Sequence, residues 1–295
     1  MNEDVAVVVR SSQERTVPLN IELLKRQVPE DRISVIEVAP FSAAVKKTFE
    51  IGLESKAKWT LAVDGDILIY PDAIQEHVER AASYGPKLYS YQGHVKDKIF
   101  GTCRGAGPHL FNSEYLEKGL EALDRVKDSL RPESGTYREL AKQGYITVVD
   151  RVVFALHDYE QKYADLFRKA YFYSKKHGGE KTTTKLITHW RQQVKEDKDF
   201  KVLFYGWVFG CVDTQTVYND RNFFDEIVAA EFPKLDISEK EALNCDVEYW
   251  MHQLLQHKNA PVDILQLKYT RLPRTEMWLR VQTAKKVIKR LLFSR

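Results

Sequence analysis

The chain has 295 residues, of which 43% are hydrophobic and 29% charged, a mixture typical of a soluble globular protein with a sizeable core. Its three cysteines lie far apart and lack metal-ligand spacing, which argues against a disulfide framework or a thiolate metal site. The N-terminus lacks a signal-peptide pattern, and the longest apolar stretch, residues 202–212, is shorter than the ~20 residues that span a bilayer. We therefore expect a cytoplasmic protein.

Short β-branched runs alternate with helical patterns over the first 90 residues. Strands are predicted at residues 6–9, 33–38, 60–63 and 88–91, and helices at residues 19–27, 42–53 and 71–83. This alternation indicates βαβ units, and therefore an α/β fold with a Rossmann-type sheet flanked by helices. Two polar segments, Arg10-Ser11-Ser12 and Asp64-Gly65-Asp66, follow the first and third strands. Since ligands bind beyond the carboxyl ends of such strands, both segments are predicted to border one site.

Beyond residue 101 the pattern becomes mixed. Helices are predicted at residues 113–127, 136–143 and 160–176 and a strand at residues 146–149, whereas residues 178–295 show no strand alternation. We therefore divide the chain into three parts. They are a catalytic domain, residues 1–177, a mainly helical extension, residues 178–267, and a basic amphipathic helix, residues 268–295.

The segment Asp64-Gly65-Asp66 places two carboxylates inside an apolar, strand-forming run. Carboxylates two residues apart at a strand end can project to one side and bind a divalent cation, Mn²⁺ or Mg²⁺, that grips a diphosphate. Burying the two charges is costly unless they coordinate something or pair, although a surface turn between two strands is the alternative. Asp197-Lys198-Asp199 has the same spacing, but its charged surroundings predict a solvated helix or loop.

The order of these motifs resembles the GT-A-fold glycosyltransferases, especially the family-2-like members, over about residues 5–175. The resemblance lies in Val7-Val8-Val9-Arg10-Ser11-Ser12, in the helix at residues 42–53, and in Trp59-Thr60-Leu61-Ala62-Val63-Asp64-Gly65-Asp66. It implies a GT-A-like fold, a nucleotide diphosphate sugar as donor, and a divalent metal as cofactor. The implied donor-binding residues are Arg10, Ser11, Ser12, Lys46, Asp64, Gly65 and Asp66.

The resemblance extends to three further positions. Gly107 and His109 match the acceptor-side segment of the family, and His157 stands where many members complete a metal shell with Asp64 and Asp66. Glu133 matches the motif that carries the catalytic base of inverting members. That motif usually holds two acids and here holds one, so the resemblance leaves both the base and the stereochemical outcome open.

Each of these residues also has a structural explanation. Glu133 could be an exposed loop acid beside Arg131, with Glu139 as a competing base that more readily pairs on a helix surface. His157 could be a hydrogen-bonded histidine at a strand end, and Asp158 could orient His157 or, preferably, cap the following helix. Arg10 and Lys46 could be solvated charges. Three aromatic side chains could stack on a ligand, although core packing is favoured for each: Tyr89, Tyr91 and Trp207.

Net charge is +3 but uneven. Residues 268–295 hold nine basic residues and one acid, which leaves residues 1–267 at −5. From Glu276 onwards apolar residues recur at helical spacing, with basic residues on the other side. Such a helix can lie on an anionic membrane surface, or its apolar face can dock on the protein itself.

The sequence therefore predicts a metal-dependent, hexosyltransferase-like glycosyltransferase with a glycan or lipid-linked acceptor, in bacterial-type cell-surface glycan or lipopolysaccharide synthesis. A nucleotidyltransferase acting on sugar phosphates is the enzymatic alternative, although the glycine-rich, lysine-bearing loop of those enzymes is missing after the first strand. A non-catalytic membrane-binding module is the other alternative, and it leaves the embedded acids unexplained. Nucleic acid is not expected as a partner, because no recognisable binding motif is present.

Overall fold

The computed structural model describes residues 1–129, 131–176, 180–213 and 221–260. Within these residues eight strands form one sheet: β1 (Val5–Arg10), β2 (Ile33–Ile36), β3 (Trp59–Asp64), β4 (Ile67–Ile69), β5 (Leu88–Asp97), β6 (Thr102–Arg104), β7 (His109–Asn112) and β8 (Ile146–His157). The helices are α1 (Val17–Lys25), α2 (Phe41–Ser55), α3 (Ala73–Ala82), α4 (Leu116–Asp124), α5 (Pro132–Ala141), α6 (Tyr163–Lys176), α7 (Glu180–Gln193), α8 (Lys198–Val212), α9 (Arg221–Glu231) and α10 (Val247–Asn259).

The sheet is mixed, with strand order β2-β1-β3-β7-β5-β8-β4 and β6 paired to β5. Strand β1 is parallel to β2 and β3, while β7 runs antiparallel between β3 and β5. Strand β8 is parallel to β5 and antiparallel to the short β4. The predicted fold class, a Rossmann-type mixed sheet flanked by helices with a mainly helical C-terminal region, is confirmed.

Helices cover both faces of the sheet, because β1 and β3 are apolar on both sides. Val5, Val7 and Val9 of β1 belong to a core that includes buried residues of α1, α3 and α10. Val8, which points to the other face, packs with Ala44 of α2. On that same face a second core joins residues of α2, α4 and α5. A strand buried on both faces explains the continuous apolar run in the sequence.

The C-terminal region adds a third core, formed by α6, α7 and α8. Helix α10 then returns to the sheet, where Trp250 and Leu254 join the first core. In the described part of the chain, no helix combines the length and the apolar character needed to cross a membrane. The predicted basic helix at residues 268–295 lies outside the described residues.

Strand register places charged residues side by side at the carboxyl edge of the sheet. Arg10 at the end of β1 is the register partner of Asp64 at the end of β3. On the other half of the sheet, His157 at the end of β8 is paired with Asp97 of β5 and with Ile67, the residue after Asp66. Two charged groups therefore arise where the strands end.

The starts of two helices change the interpretation of a candidate residue. Helix α5 begins at Pro132 rather than near residue 136, since proline suits the first helical turn, and this places Glu133 in that turn instead of a loop. Helix α6 begins at Tyr163, three residues later than predicted. The backbone amides of Tyr163 and Ala164 donate to the carboxylate of Glu239, so the preferred interpretation of Asp158 as the cap is wrong.

Helix α8 packs closely against α6 because Gly206 has no side chain. A Cβ atom on Gly206 would lie 2.3 Å from the backbone oxygen of Phe167 in α6, so the two backbones would have to separate. We expect Gly206→Ala to lower the free energy of unfolding by about 1–3 kcal/mol, measured by urea denaturation.

The control is Val208→Ala on the same helix, where the native side chain is 57% exposed and the expected change is within about 0.5 kcal/mol. An equal effect of the two substitutions would contradict the close packing of α6 on α8.

Candidate active site

The first charged group of the site is centred on Arg10, which is only 7% exposed. Its Nε donates a hydrogen bond to Asp64 Oδ1 at 2.7 Å, and its Nη1 donates to Glu133 Oε1 at 2.8 Å. Burial by itself would raise the pKa of Glu133, but Arg10 and His109 lower it below its ordinary value. Glu133 is therefore ionised at neutral pH and buried, which excludes the interpretation of an exposed loop acid.

His109 extends this group towards the acceptor-side segment. Its Nε2 lies 3.3 Å from Glu133 Oε2, and its Nδ1 lies 2.8 Å from the hydroxyl of Tyr137. Gly107, two residues before it, has a φ of +79°, and a Cβ atom there would lie 2.4 Å from Ile67 Cδ1. The structure thus brings His109 to Glu133, while the base role of Glu133 stays a prediction.

The second charged group contains Asp66, His157 and Asp158. These three residues each offer a ligand atom, all within 4.8 Å of one another. Asp66 Oδ2 lies 3.6 Å from His157 Nε2, and His157 Nδ1 lies 3.0 Å from Asp158 Oδ2 and 2.9 Å from Asp97 Oδ2. Burial alone would lower the pKa of His157, but Asp158, Asp66 and Asp97 raise it to about 10.

This second group could hold a divalent cation. Among the described residues, the buried Oδ1 atom of Asp66 has no hydrogen-bond partner, so it can still accept a ligand. Carboxylate oxygens are the donors that Mg²⁺ and Mn²⁺ prefer, and an imidazole can complete the set. The residues fit such an ion. This group contains Asp158 and not Asp64, whose Oδ1 accepts a hydrogen bond from Arg10 Nε at 2.7 Å. The metal set of Asp64, Asp66 and His157 stays a prediction.

Two cations of α6, Arg168 and Lys169, belong to the site and were missed by the sequence analysis. Lys169 Nζ donates to Asp66 Oδ2 at 2.5 Å and also to Asp158 Oδ1. Arg168 and Lys169 both line the cavity described below. Lys169 is 103 residues from Asp66 in the sequence. Because α6 carries many aromatic residues, its sequence did not indicate a polar site, and only the packing of α6 in the structure reveals the contact.

A cavity of about 320 Å³ opens at the carboxyl ends of β1 and β3. Its charged and polar lining includes Arg10, Ser11, Ser12, Glu14, Asp64, Asp66, Arg168 and Lys169. Its apolar lining comes from residues 36–44 and from Phe172. The two polar segments predicted to share a site, Arg10-Ser11-Ser12 and Asp64-Gly65-Asp66, therefore meet at one edge of the sheet.

Gly65 and Lys46, which the resemblance assigns to the donor site, are not among the residues that line the cavity. The amide of Gly65 donates to the carbonyl of Arg10 at 2.9 Å, and its carbonyl accepts from the hydroxyl of Thr16 at 2.6 Å, so Gly65 fixes the turn after β3. Lys46 has a side chain that is 60% exposed and lies 3.8 Å from Glu50 on the same helix. That position matches the solvent-facing alternative for Lys46.

The second Asp-x-Asp sequence was wrongly predicted to be solvated. Asp197 caps α8 through the amide of Asp199, and Asp199 is only 2% exposed. The carboxylate of Asp199 lies 2.6 Å from Lys98 Nζ and 2.5 Å from Lys240 Nζ. The charge of this motif is thus neutralised by lysines from distant segments, which the local sequence could not show.

The three aromatic residues that could have stacked on a ligand are instead buried in the protein core. Tyr89 and Tyr91 are fully buried and Trp207 is 7% exposed, so all three are core residues, as the sequence analysis favoured.

Removing the charge of Arg10 should reverse the direction in which stability depends on pH through Glu133. In the native protein the pKa of Glu133 is lowered, so its contribution to stability is present above the unfolded pKa of about 4.3 and is lost only at lower pH. In Arg10→Met burial dominates, the folded pKa of Glu133 rises, and stability is lost as pH increases. We expect a loss of about 3–5 kcal/mol at pH 8 and a smaller loss at pH 5, measured by urea denaturation.

Arg131→Met is the matched control, because Arg131 is exposed and immediately precedes α5. It should change stability little at either pH. A deficit of Arg10→Met that is equal at pH 5 and pH 8 would show that Glu133 is not the group left unpaired.

No protein-family model matches the chain, and no curated protein matches it. Among solved structures it is similar to a glycosyltransferase involved in glycosylation of the major capsid of PBCV-1, with 10% identity, 53% of this chain and 94% of that chain covered, and a TM-score of 0.37. It is also similar to a mannosyltransferase from Pyrobaculum calidifontis in complex with GDP-Man and Mn²⁺, with 14% identity, 99% and 88% covered, and a TM-score of 0.36. A cytidylyltransferase from Leptospira borgpetersenii shows 11% identity, 74% and 100% covered, and a TM-score of 0.37.

Proposed function

We propose that the chain is a glycosyltransferase that moves a sugar from a nucleotide diphosphate sugar to an acceptor hydroxyl. The observation that carries this proposal is the cavity of about 320 Å³, in which acidic, basic and apolar side chains share one lining. Its volume falls in the range of ligand sites, about 300–1,000 Å³. A nucleotide diphosphate sugar needs these same three surfaces, for its metal ion, its phosphates and its base.

The nucleoside would lie against the apolar lining from residues 36–44. Phe41 is 46% exposed, with the guanidinium of Arg10 5.1 Å from the centre of its ring. The remaining exposed ring surface can stack on a nucleobase. Ser11 and Ser12 line the same cavity and offer hydroxyl groups for the ribose or the phosphates.

The diphosphate would lie between the acidic residues and α6. Asp66, His157 and Asp158 would hold the divalent cation, Mn²⁺ or Mg²⁺, whose charge stabilises the departing nucleoside diphosphate. Arg168 and Lys169 line the cavity and can donate hydrogen bonds to phosphate oxygens. Asp64, held by Arg10, would orient the donor from the end of β3.

Glu133 remains our proposed general base. It is ionised, because Arg10 holds its pKa low, and it can therefore accept a proton from the acceptor hydroxyl. Its Oε1 atom is held by Arg10 at 2.8 Å, whereas the contact of Oε2 with His109 is longer, 3.3 Å. Oε2 is thus the atom that we assign to proton transfer, with His109 and Gly107 on the acceptor side.

The acceptor that we propose is a glycan or a lipid-linked sugar, in bacterial-type synthesis of a cell-surface glycan or lipopolysaccharide, with a hexose as the transferred group. The basic residues of 268–295 support the lipid-linked class, since they can hold the enzyme at the anionic inner surface of a membrane.

Thermal-shift measurements test the donor and the metal together. We expect one of the uridine, guanosine, cytidine and thymidine diphosphates to stabilise the protein only with Mn²⁺, by about 2.7 kcal/mol at 100 times its Kd. Asp66→Asn should abolish the metal-dependent shift, because it removes a carboxylate of the cation site. Asp197→Asn changes the other Asp-x-Asp sequence, outside the cavity, and should leave the shift intact.

Metal-dependent release of nucleoside diphosphate from the matching nucleotide sugar should accompany this shift, as a slow transfer to water. Stabilisation by nucleoside triphosphates and sugar phosphates, without turnover of nucleotide sugars, would contradict the proposal in favour of a nucleotidyltransferase.

Membrane binding is tested by co-sedimentation of the full chain with anionic vesicles. Replacing Lys285, Lys286, Lys289 and Arg290 by glutamine should greatly reduce sedimentation, since each basic residue near such a surface contributes about 1 kcal/mol. Lys46→Gln, a change of an exposed lysine elsewhere, should have little effect. Equal sedimentation of the quadruple variant and the native protein would rule out this role of the basic residues.

A further inference from the structure

The ammonium group of Lys169 lies against two of the carboxylates that would hold a metal ion. Its Nζ contacts Asp66 Oδ2 at 2.5 Å and also Asp158 Oδ1, and both oxygens belong to residues of the proposed cation site. Bonds from Mg²⁺ or Ca²⁺ to carboxylate oxygens are about 2.0–2.6 Å long. A cation bound to the same two oxygens would therefore overlap Nζ, so the lysine and the ion exclude each other.

The charges of two buried carboxylates explain the position of Lys169. The side chains of Asp66 and Asp158 are 12% and 0% exposed, and two buried carboxylates without a cation would be strongly destabilising. Lys169 supplies that cation in the ligand-free protein, together with the His157 imidazole, whose pKa these acids raise to about 10. If it leaves, its own largely buried charge needs another anion, because its side chain is only 17% exposed.

The cavity provides the place for that second anion. Lys169 lines it next to Arg168, whose Nη2 donates to Asp165 Oδ1 at 3.3 Å and whose Nε has no hydrogen-bond partner among the described residues. A diphosphate in the cavity would accept hydrogen bonds from both side chains. Lys169 thus stands between two anionic partners, the carboxylates of the protein and the phosphates of a ligand.

We propose that Lys169 is a displaceable counter-ion of the cation site: it occupies the site in the ligand-free protein and turns to the donor diphosphate when a divalent cation takes its place. This inference rests on the proposed function. It makes cation and diphosphate binding cooperative, since each ligand removes an obstacle for the other. Coupling between binding sites is reciprocal and typically amounts to about 5–150-fold in affinity.

Binding of Mn²⁺ alone, followed by electron paramagnetic resonance without nucleotide, tests the exchange. Lys169→Met should bind Mn²⁺ at least about tenfold more tightly than the native protein, because no ammonium group competes for the carboxylates. Arg168→Met is the matched control. It removes the same charge from the same cavity but leaves Lys169 in place, so its Mn²⁺ affinity should stay within about threefold of the native value.

Equal affinity of Lys169→Met and the native protein for Mn²⁺, or equal tightening in Arg168→Met, would overturn the exchange. Should Lys169→Met fail to fold, the native protein decides the question. Its Mn²⁺ affinity must rise with the nucleoside diphosphate that stabilises it, and an unchanged affinity would refute the proposal. Tighter Mn²⁺ binding by Lys169→Met in a protein that binds none of the four diphosphates would support the exchange and refute the proposed donor instead.

Discussion

Neutralisation of buried carboxylates at the carboxyl edge of the sheet is the constraint on which the rest of the structure depends. Asp64 and Glu133 share Arg10, and Asp97 pairs with Arg104 at 2.6 Å. Lys169 forms ion pairs with Asp66 and Asp158. A buried charge without a partner is destabilising by several kcal/mol, so these pairs determine which helices can pack beside the strands.

The pairs also explain why distant segments meet at one site. Arg10 and Asp64 are neighbours because β1 and β3 are in parallel register, and Asp97 and His157 because β5 and β8 are. The antiparallel β7 lies between these two halves of the sheet and places His109 beside Ala62 of β3. The register of the strands thus places Arg10 beside Asp64 and Asp97 beside His157, whereas Glu133 and Lys169 come from helices.

The sequence predicted the part of the site that depends on local pattern. Apolar runs ending in Arg10 and Asp64 identify strand ends, and strand ends in parallel sheets converge. What depends on tertiary packing could not be predicted in this way. Lys169 resembles any helical lysine in the sequence, and Asp199 resembles a solvated acid until Lys98 and Lys240 are placed against it. The start of α5 differs from these cases, because Pro132 marks it in the sequence and proline suits the first helical turn.

Helix α6 has two faces that serve different purposes. One presents Arg168 and Lys169 to the cavity, while the other presents Leu166, Phe167 and Ala170 to the helical core. A displacement of α8, held against Phe167 through Gly206, would therefore move the cationic side of α6 with it. Sequence changes in the C-terminal helices can in consequence alter the shape of the cavity at a distance, and a search for variants with altered ligand binding should include positions outside the cavity lining.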